Sequence, residues 1–312
     1  NPVMTSVFID GGHGTTGLEI HQRLAGRNDI AVIAIDDARR KDAGARREAL
    51  NDADIVILCL PDDAAREAVE LVGNSRTRII DASTAFRTAP DWIFGFHEID
   101  DRGIESLRDA TRVSNPGCYS TGFLALVKPL VRAGLIPSDW PITVNAVSGY
   151  SGGGKAMIAE FESGLASTAW RTYALGLAHK HVPEMQRHAG LVHAPLFAPS
   201  VAQTYRGMIV DVPLQLAAIP GRPTVDAIRS TLLEHYAEGP IVSLVTNFDE
   251  ANLTIEKAAD TDRLELFVFA NSAGTQVRLV AALDNLGKGA AGAAVQTLNI
   301  MSNLAETAGL RL

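Results

Sequence analysis

The sequence predicts an α/β protein in two parts. A doubly wound parallel sheet comes first, followed by an α+β half whose sheet is largely antiparallel. Three observations carry this reading. The first third alternates short, wholly apolar runs with segments of helical periodicity, as strands buried on both faces and joined by helices do. From about Trp140 the apolar runs become amphipathic and lie close to one another, which suits hairpins. With 312 residues, 46% hydrophobic and 21% charged, the chain has apolar content for two domain-sized cores.

In chain order, residues 7–9 form a strand, 15–25 a helix, and 31–35, 55–60 and 78–81 further strands. Ala64, Ala68, Val69 and Val72 give residues 63–72 a helical apolar stripe. Right-handed crossovers between such strands make a doubly wound sheet. In the second half, residues 142–147, 207–216, 241–245, 264–270 and 276–283 form strands. The last two are joined by Asn271-Ser-Ala-Gly-Thr275, a hairpin connection. The Ala- and Gly-rich residues 286–304 suit a helix packed closely on another element.

Lys plus Arg number 28 and Asp plus Glu 36, a net charge of −8, and no dense basic run is present, so nucleic acid is not an expected partner. Two cysteines make no disulfide framework. The longest candidate membrane run, residues 55–60, is far short of the roughly 18 residues of a spanning helix, and no secretory leader is recognisable. These features predict a soluble, cytoplasmic protein.

Gly11-Gly12-His13-Gly14-Thr15-Thr16-Gly17 lies between the first strand and the first helix. Glycines there let the backbone approach a pyrophosphate, which the helix N-terminus stabilises. In a parallel-sheet pattern this makes residues 11–17 a cofactor site of a Rossmann-type dinucleotide-binding domain. Asp36, Asp37, Arg39 and Arg40 follow the second strand. An acidic residue there favours NAD and an arginine favours NADP, so spacing alone leaves the choice open. Cys59-Leu60-Pro61 closes the third strand at the edge of such a site, with Cys59 read as a small buried hydrophobe.

Asn115-Pro116-Gly117-Cys118-Tyr119 precedes a stretch of helical spacing, placing Cys118 in the first turn of a helix. The dipole and free N–H groups there favour the nucleophilic thiolate. A thiolate needs an acid/base partner, and His179-Lys180-His181-Val182-Pro183-Glu184 supplies one at the entry to a helix. His181 can exchange a proton near neutral pH, and Glu184 can orient it. The scattered remaining histidines and the lack of a cysteine pair at ligand spacing argue against zinc. Ser148-Gly149-Tyr150-Ser151-Gly152-Gly153-Gly154-Lys155 is either an anion cradle or a flexible turn; it lacks P-loop spacing.

Together these segments resemble the N-acetyl-γ-glutamyl-phosphate reductases of arginine biosynthesis, in their shorter branch. The resemblance also covers Asp81-Ala-Ser-Thr-Ala-Phe-Arg87, Phe94-Gly-Phe-His-Glu98 and Asp284-Asn-Leu-Gly-Lys-Gly-Ala-Ala-Gly292. Its specific part is Asn-Pro-Gly-Cys-Tyr with His-x-His-x-Pro-Glu. The departures are Gly-Gly-His-Gly in the first turn, where longer relatives have Gly-Ala-Ser-Gly, and Lys180 and Met185 in place of Arg and Ile.

The resemblance implies the architecture of the semialdehyde dehydrogenases, with residues 1–117 and 286–312 binding the dinucleotide and 118–285 carrying catalysis and oligomerisation. It implies NADP as cofactor, an acyl phosphate substrate and a homo-oligomer, dimer or tetramer. It places Asn285 beside the nicotinamide. Cys118 then forms a thioester and His181 moves the protons, while Asn115 and the Cys118 N–H hold the oxyanion. Ser83, Arg87, His179 and the loop at Ser148 and Gly149 become candidates for holding phosphate, substrate or cofactor. Arg112, Arg171 and Lys180 are charge-compatible with the substrate carboxylate. Two alternatives stand beside this: an aspartate-semialdehyde dehydrogenase, with the same chemistry on a shorter substrate, and a non-enzymatic dinucleotide-binding redox sensor.

Overall fold

Short strands with Ile- and Val-rich centres build the first sheet of the protein, whose computed structural model describes residues 3–166 and 168–312. Its strands are β1 (Thr5–Asp10), β2 (Ile30–Ile33), β3 (Ile55–Leu58), β4 (Arg78–Asp81), β5 (Ile93–Phe94) and β6 (Arg112–Ser114). All pair in parallel in the order β2-β1-β3-β4-β6-β5. The connections carry α1 (Thr15–Leu24), α2 (Ala43–Asp52), α3 (Asp62–Leu71) and the short α4 (Glu105–Arg108). β3 shows why its sequence is continuously apolar. Ile55 and Ile57 enter one core, with Ile20 and Leu298, while Val56 and Leu58 enter another, with Leu50 and Ile79. Each such side chain contributes about 1.5–3 kcal/mol by leaving water, so one polar residue in β3 would destabilise a whole face.

The second sheet is built from β7 (Thr143–Gly149), β8 (Trp170–Thr172), β9 (Leu196–Ala202), β10 (Met208–Leu214), β11 (Val242–Leu244), β12 (Leu264–Ala270) and β13 (Val277–Leu283). Their order is β11-β12-β13-β10-β7-β9-β8. The β7/β9 and β11/β12 pairs are parallel and the others antiparallel. The helices are α5 (Cys118–Arg132), α6 (Gly154–Glu162), α7 (Val182–Ala189) and α8 (Val225–His235). α5 lies on one face, where a Cβ on Gly122 would come within 2.8 Å of Val210. The expected hairpin forms between β12 and β13, its turn closed by Asn271 Oδ1 accepting from the N–H groups of Thr275 and Gln276 at 2.9 and 3.0 Å.

By contact the chain divides into two compact units, Asn1–Pro116 with Ala290–Leu310, and Gly117–Gly289 with Arg311–Leu312. The final helix, α9 (Gly292–Met301), is buried in the first unit through Ala294, Val295 and Leu298. The C-terminal segment after it is tied down by Glu306, which accepts from Gln296 at 2.9 Å and lies 2.5 Å from His97. His97, Glu98 and Glu306 thus bring three metal-type ligand atoms together, but the Gln296 amide already bonds to all three.

Several elements differ from the expectation. The helix over 286–304 begins as a π turn, Gly287–Ala291, and becomes α-helical only at Gly292. α2 escaped the periodicity because only Ala45, Ala49 and Leu50 are buried on it. β9 was masked by Pro199, which argues against an inner strand. Here its carbonyl is used instead, accepting from Tyr173 N–H at 3.2 Å.

Candidate active site

β1 delivers the chain into Gly11, whose φ of +79° lies in the left-handed region open to glycine. A side chain on Gly11 would strike the carbonyl of Cys59 at the end of β3. The Gly14 N–H closes the turn on the Gly11 carbonyl at 3.0 Å, and Gly14 is the N-cap of α1, with Thr15 and Thr16 its first residues. A Cβ on Gly17 would lie 2.6 Å from the Gly12 Cα, so the third glycine lets α1 seat against the turn. An N-cap without a side chain leaves the first helical N–H groups to a phosphate.

Beside this turn opens a cleft of about 560 Å³, lined among others by His13, Ile35, Arg40, Lys41 and Leu60. Arg40 reaches it; Arg39, also expected there, is not among its lining residues. Three lining residues carry no sequence signal: His21, Arg46 and Asp10. Arg46 donates to the buried Asp10 carboxylate at 2.8 Å. Burial, with His13 nearby, lowers the pKa of His21. A turn with no room for a Cβ on Gly11 or Gly17, beside a cleft with two exposed cations, fits a dinucleotide carrying an extra phosphate.

The remaining expected residues of this unit are occupied within it. Burial, with Asp81 and Asp10 adding to it, pushes the Cys59 thiol up to about 12, which leaves it protonated and unreactive. Pro61 is the exposed N-cap of α3. Ser83 donates to Asp81 Oδ2 at 2.7 Å. Arg87 donates to the carbonyls of Asn115 at 2.8 Å and Ala82 at 3.1 Å. Asn115 donates to the Ala290 carbonyl at 2.9 Å. These contacts fix the carboxyl ends of β4 and β6.

In the second unit Gly117 is the N-cap of α5 and Cys118 its first residue, where the helix dipole stabilises a thiolate. Cys118 is half-buried. The Gly117 N–H donates to Oε2 of Glu184 at 3.1 Å, and Glu184 is buried. His181 is the N-cap of α7, the helix that carries Glu184. A Cβ on Gly117 would stand 2.5 Å from Nε2 and Cε1 of His181. The imidazole therefore lies directly over the turn that presents the thiol.

His179 plays a different part from His181. Its Nδ1 accepts from the His181 backbone N–H at 3.0 Å, and its ring makes T-shaped contacts with those of His181, Phe197 and Tyr119, centroids 4.6, 5.1 and 5.5 Å apart. The hydroxyls of Tyr119 and Tyr173 are 2.7 Å apart. Burial raises both phenols, Tyr173 to about 12, and the Cys118 sulfur adds to the rise in each. Gly289 abuts Cys118 from another side, since a Cβ there would lie 2.8 Å from that of Cys118. Sequence reading did not find Tyr173 or Phe197, which meet the site only through folding, and it gave Tyr119 and Gly289 only as members of longer motifs.

Ser148 donates to the Gly149 carbonyl at 3.0 Å. Asn285, expected beside a nicotinamide, is buried and bridges Ser151 Oγ at 2.9 Å and the Gly207 N–H at 3.0 Å. Arg171 pairs with Glu160 at 2.6 and 3.1 Å. Of the expected residues in the first unit, Gly11, His13, Gly14, Arg40 and Leu60 line its cleft, while Arg39, Cys59, Pro61, Ser83, Arg87 and Asn115 do not. The second brings Cys118, His179, His181 and Glu184 into one cluster.

A glycine-cradled nucleotide site and a thiol–imidazole cluster define an oxidoreductase of the semialdehyde dehydrogenase class, and two family profiles agree. "Semialdehyde dehydrogenase, NAD binding domain" matches residues 6–107, and "Semialdehyde dehydrogenase, dimerisation domain" matches residues 118–285. The protein named N-acetyl-gamma-glutamyl-phosphate reductase from Sinorhizobium medicae (strain WSM419) is 51% identical over 303 residues, 95% of this chain and 98% of that protein. N-acetyl-gamma-glutamyl-phosphate reductase 2 of Pseudomonas putida is 48% identical over 95% of this chain and 96% of its own length. The chain belongs to the N-acetyl-gamma-glutamyl-phosphate reductase family. Among solved structures, aspartate semialdehyde dehydrogenase II from Vibrio cholerae, in complex with ASA, aligns with a TM-score of 0.72 over 96% of this chain and 98% of that one. At 16% identity the likeness is one of fold.

Proposed function

We propose that this chain reduces N-acetyl-L-glutamyl 5-phosphate to N-acetyl-L-glutamate 5-semialdehyde and phosphate with NADPH, a step of arginine biosynthesis. The observation that carries the reading is Cys118 at the first residue of α5 with the His181 imidazole over the preceding glycine. His181 Nε2 accepts the thiol proton. Cys118 Sγ attacks the acyl carbon, the carbon–oxygen bond to phosphate breaks, and an enzyme thioester forms. A thioester accepts hydride more readily than a carboxylate, which is the advantage of the covalent route. NADPH, when bound, supplies that hydride. His181 then takes part in proton transfer as the thiohemiacetal collapses, the carbon–sulfur bond breaks and the Cys118 thiolate returns. The Cys118 N–H, at a helix N-terminus, suits the developing oxyanion, and one such donor is worth about 10²–10³ in rate.

In this reading the unit of β1–β6 and α9 binds the cofactor and the unit containing Cys118 does the covalent chemistry. Gly11, Gly14, Thr15, Thr16 and Gly17 hold the pyrophosphate. Arg40, joined by Lys41, holds the 2′-phosphate, which favours NADP over NAD.

The chain also pairs with a second copy through the open face of the β7–β13 sheet. Trp170 and Leu196 are 54% and 50% exposed there, and a hollow of about 340 Å³ is lined by Asn145, Ile209 and Asp211. Light scattering on Trp170→Glu should show a smaller species than the parent protein.

The substrate is tested in the oxidative direction with phosphate and NADP. N-acetylglutamate 5-semialdehyde should exceed aspartate 4-semialdehyde by about 10²-fold or more in kcat/KM, the range a site built around one polar substituent reaches. A preference for the aspartate aldehyde would overturn the proposal.

A further inference from the structure

Glycine at 117 is not explained by its backbone. Its φ of −71° and ψ of 152° are extended values that any residue adopts, and as an N-cap glycine is no better than serine, threonine or aspartate. What excludes a side chain is the neighbour. An added Cβ would stand 2.5 Å from both Nε2 and Cε1 of His181 and 2.8 Å from its Cδ2, contacts that force the ring to move. The ring has little room to move in return. Its backbone N–H is fixed on His179 Nδ1 at 3.0 Å, and its ring centroid lies 4.6 Å from that of His179 and 5.6 Å from that of Tyr119. The glycine is itself fixed, since its N–H donates to Glu184, three residues after His181 on the same polypeptide segment.

We infer that Gly117 is a positioning residue for the reaction: the side chain it lacks is the seat of the His181 imidazole beside the Cys118 thiol. The inference rests on the assignment of His181 as proton acceptor and adds how that acceptor is held. Alanine at 117 keeps the turn, the N-cap and the Glu184 hydrogen bond but displaces the ring from the sulfur. The loss expected is that of a general base, about 10²-fold or more in kcat, with cofactor affinity unchanged.

The test is a double-mutant cycle of Gly117→Ala and His181→Ala, which isolates the coupling between two touching residues. Three quantities are read for each protein: kcat, melting temperature, and the pH dependence of Cys118 alkylation by iodoacetamide. On the parent background Gly117→Ala should lower kcat and melting temperature and make the alkylation profile coincide with that of His181→Ala. On the His181→Ala background it should change kcat and the profile by less than about twofold, because the ring it would displace is gone. If Gly117→Ala fails to fold alone but folds with His181→Ala, the seat is supported. Equal losses on both backgrounds, failure of both proteins to fold, or a Gly117→Ala protein with parental kcat and profile would each overturn it. None of these readings depends on which acyl phosphate is the substrate, so failure here and failure of the substrate assignment are distinguishable.

Discussion

Two strand-to-helix turns in this chain use glycine for opposite ends. At β1–α1, Gly11 and Gly17 remove side chains so that the turn packs on Cys59 and α1 on Gly12, and Gly14 as N-cap leaves the helix N-terminus open to a ligand. At β6–α5, Gly117 removes a side chain to admit an imidazole of the protein itself, and Cys118 takes the first helical position. The same helix-terminal field thus serves an incoming phosphate in one turn and a resident thiolate in the other. The first turn also has an imidazole against a glycine, since a Cβ on Gly12 would lie 2.7 Å from His21 Nε2. The difference is that His21 lines a cleft whereas His181 stands over the glycine that precedes a cysteine. Similar local geometry acquires its chemistry from the residue that follows the glycine.

The comparison predicts a separation of effects. Cys118→Ser should leave less than a hundredth of parental turnover while NADPH binding, followed by fluorescence, is retained; substantial residual turnover would sink the covalent route. His181→Ala should lower kcat by about 10²–10⁴ with little change in the KM for NADPH. Gly17→Ala should do the reverse, raising that KM more than about tenfold. Overpacking α1 on Gly12 should also cost about 1–3 kcal/mol in denaturant unfolding. Arg40→Ala should raise the KM for NADPH by roughly tenfold and leave that for NADH unchanged, as loss of a charge-assisted contact to one phosphate implies. Tyr173→Phe, which removes the partner of the Tyr119 hydroxyl, should cost only about 1 kcal/mol of stability.

The legible parts were those in which chemistry and chain order coincide. β3 could be read because its four residues face two cores at once, and the first glycine turn because all its parts are adjacent in sequence. Cys118 could be read for the same reason: turn, nucleophile and helix follow one another. What stayed hidden depends on contacts across the sequence. Gly289 belongs to a motif, but its contact with a residue 171 positions away exists only in the fold. Asn285 has the residue type of a ligand, yet its amide bridges the Ser151 hydroxyl and the Gly207 N–H of its own unit. The two histidines at 179 and 181 look equivalent in the motif. Only the backbone N–H held by one and the glycine beneath the other separate them. Arg39 and Arg40 are likewise indistinguishable until the loop's course sends one into the cleft.

The central claim, a covalent acyl enzyme on Cys118, is tested most directly by mixing the protein with N-acetylglutamyl 5-phosphate in the absence of NADPH and following released phosphate by rapid quench. A burst of one phosphate per active Cys118, with a matching acyl adduct on the Cys118 peptide by mass spectrometry, is the result expected. Phosphate release that waits for NADPH, with the Cys118 peptide unmodified throughout, would contradict it.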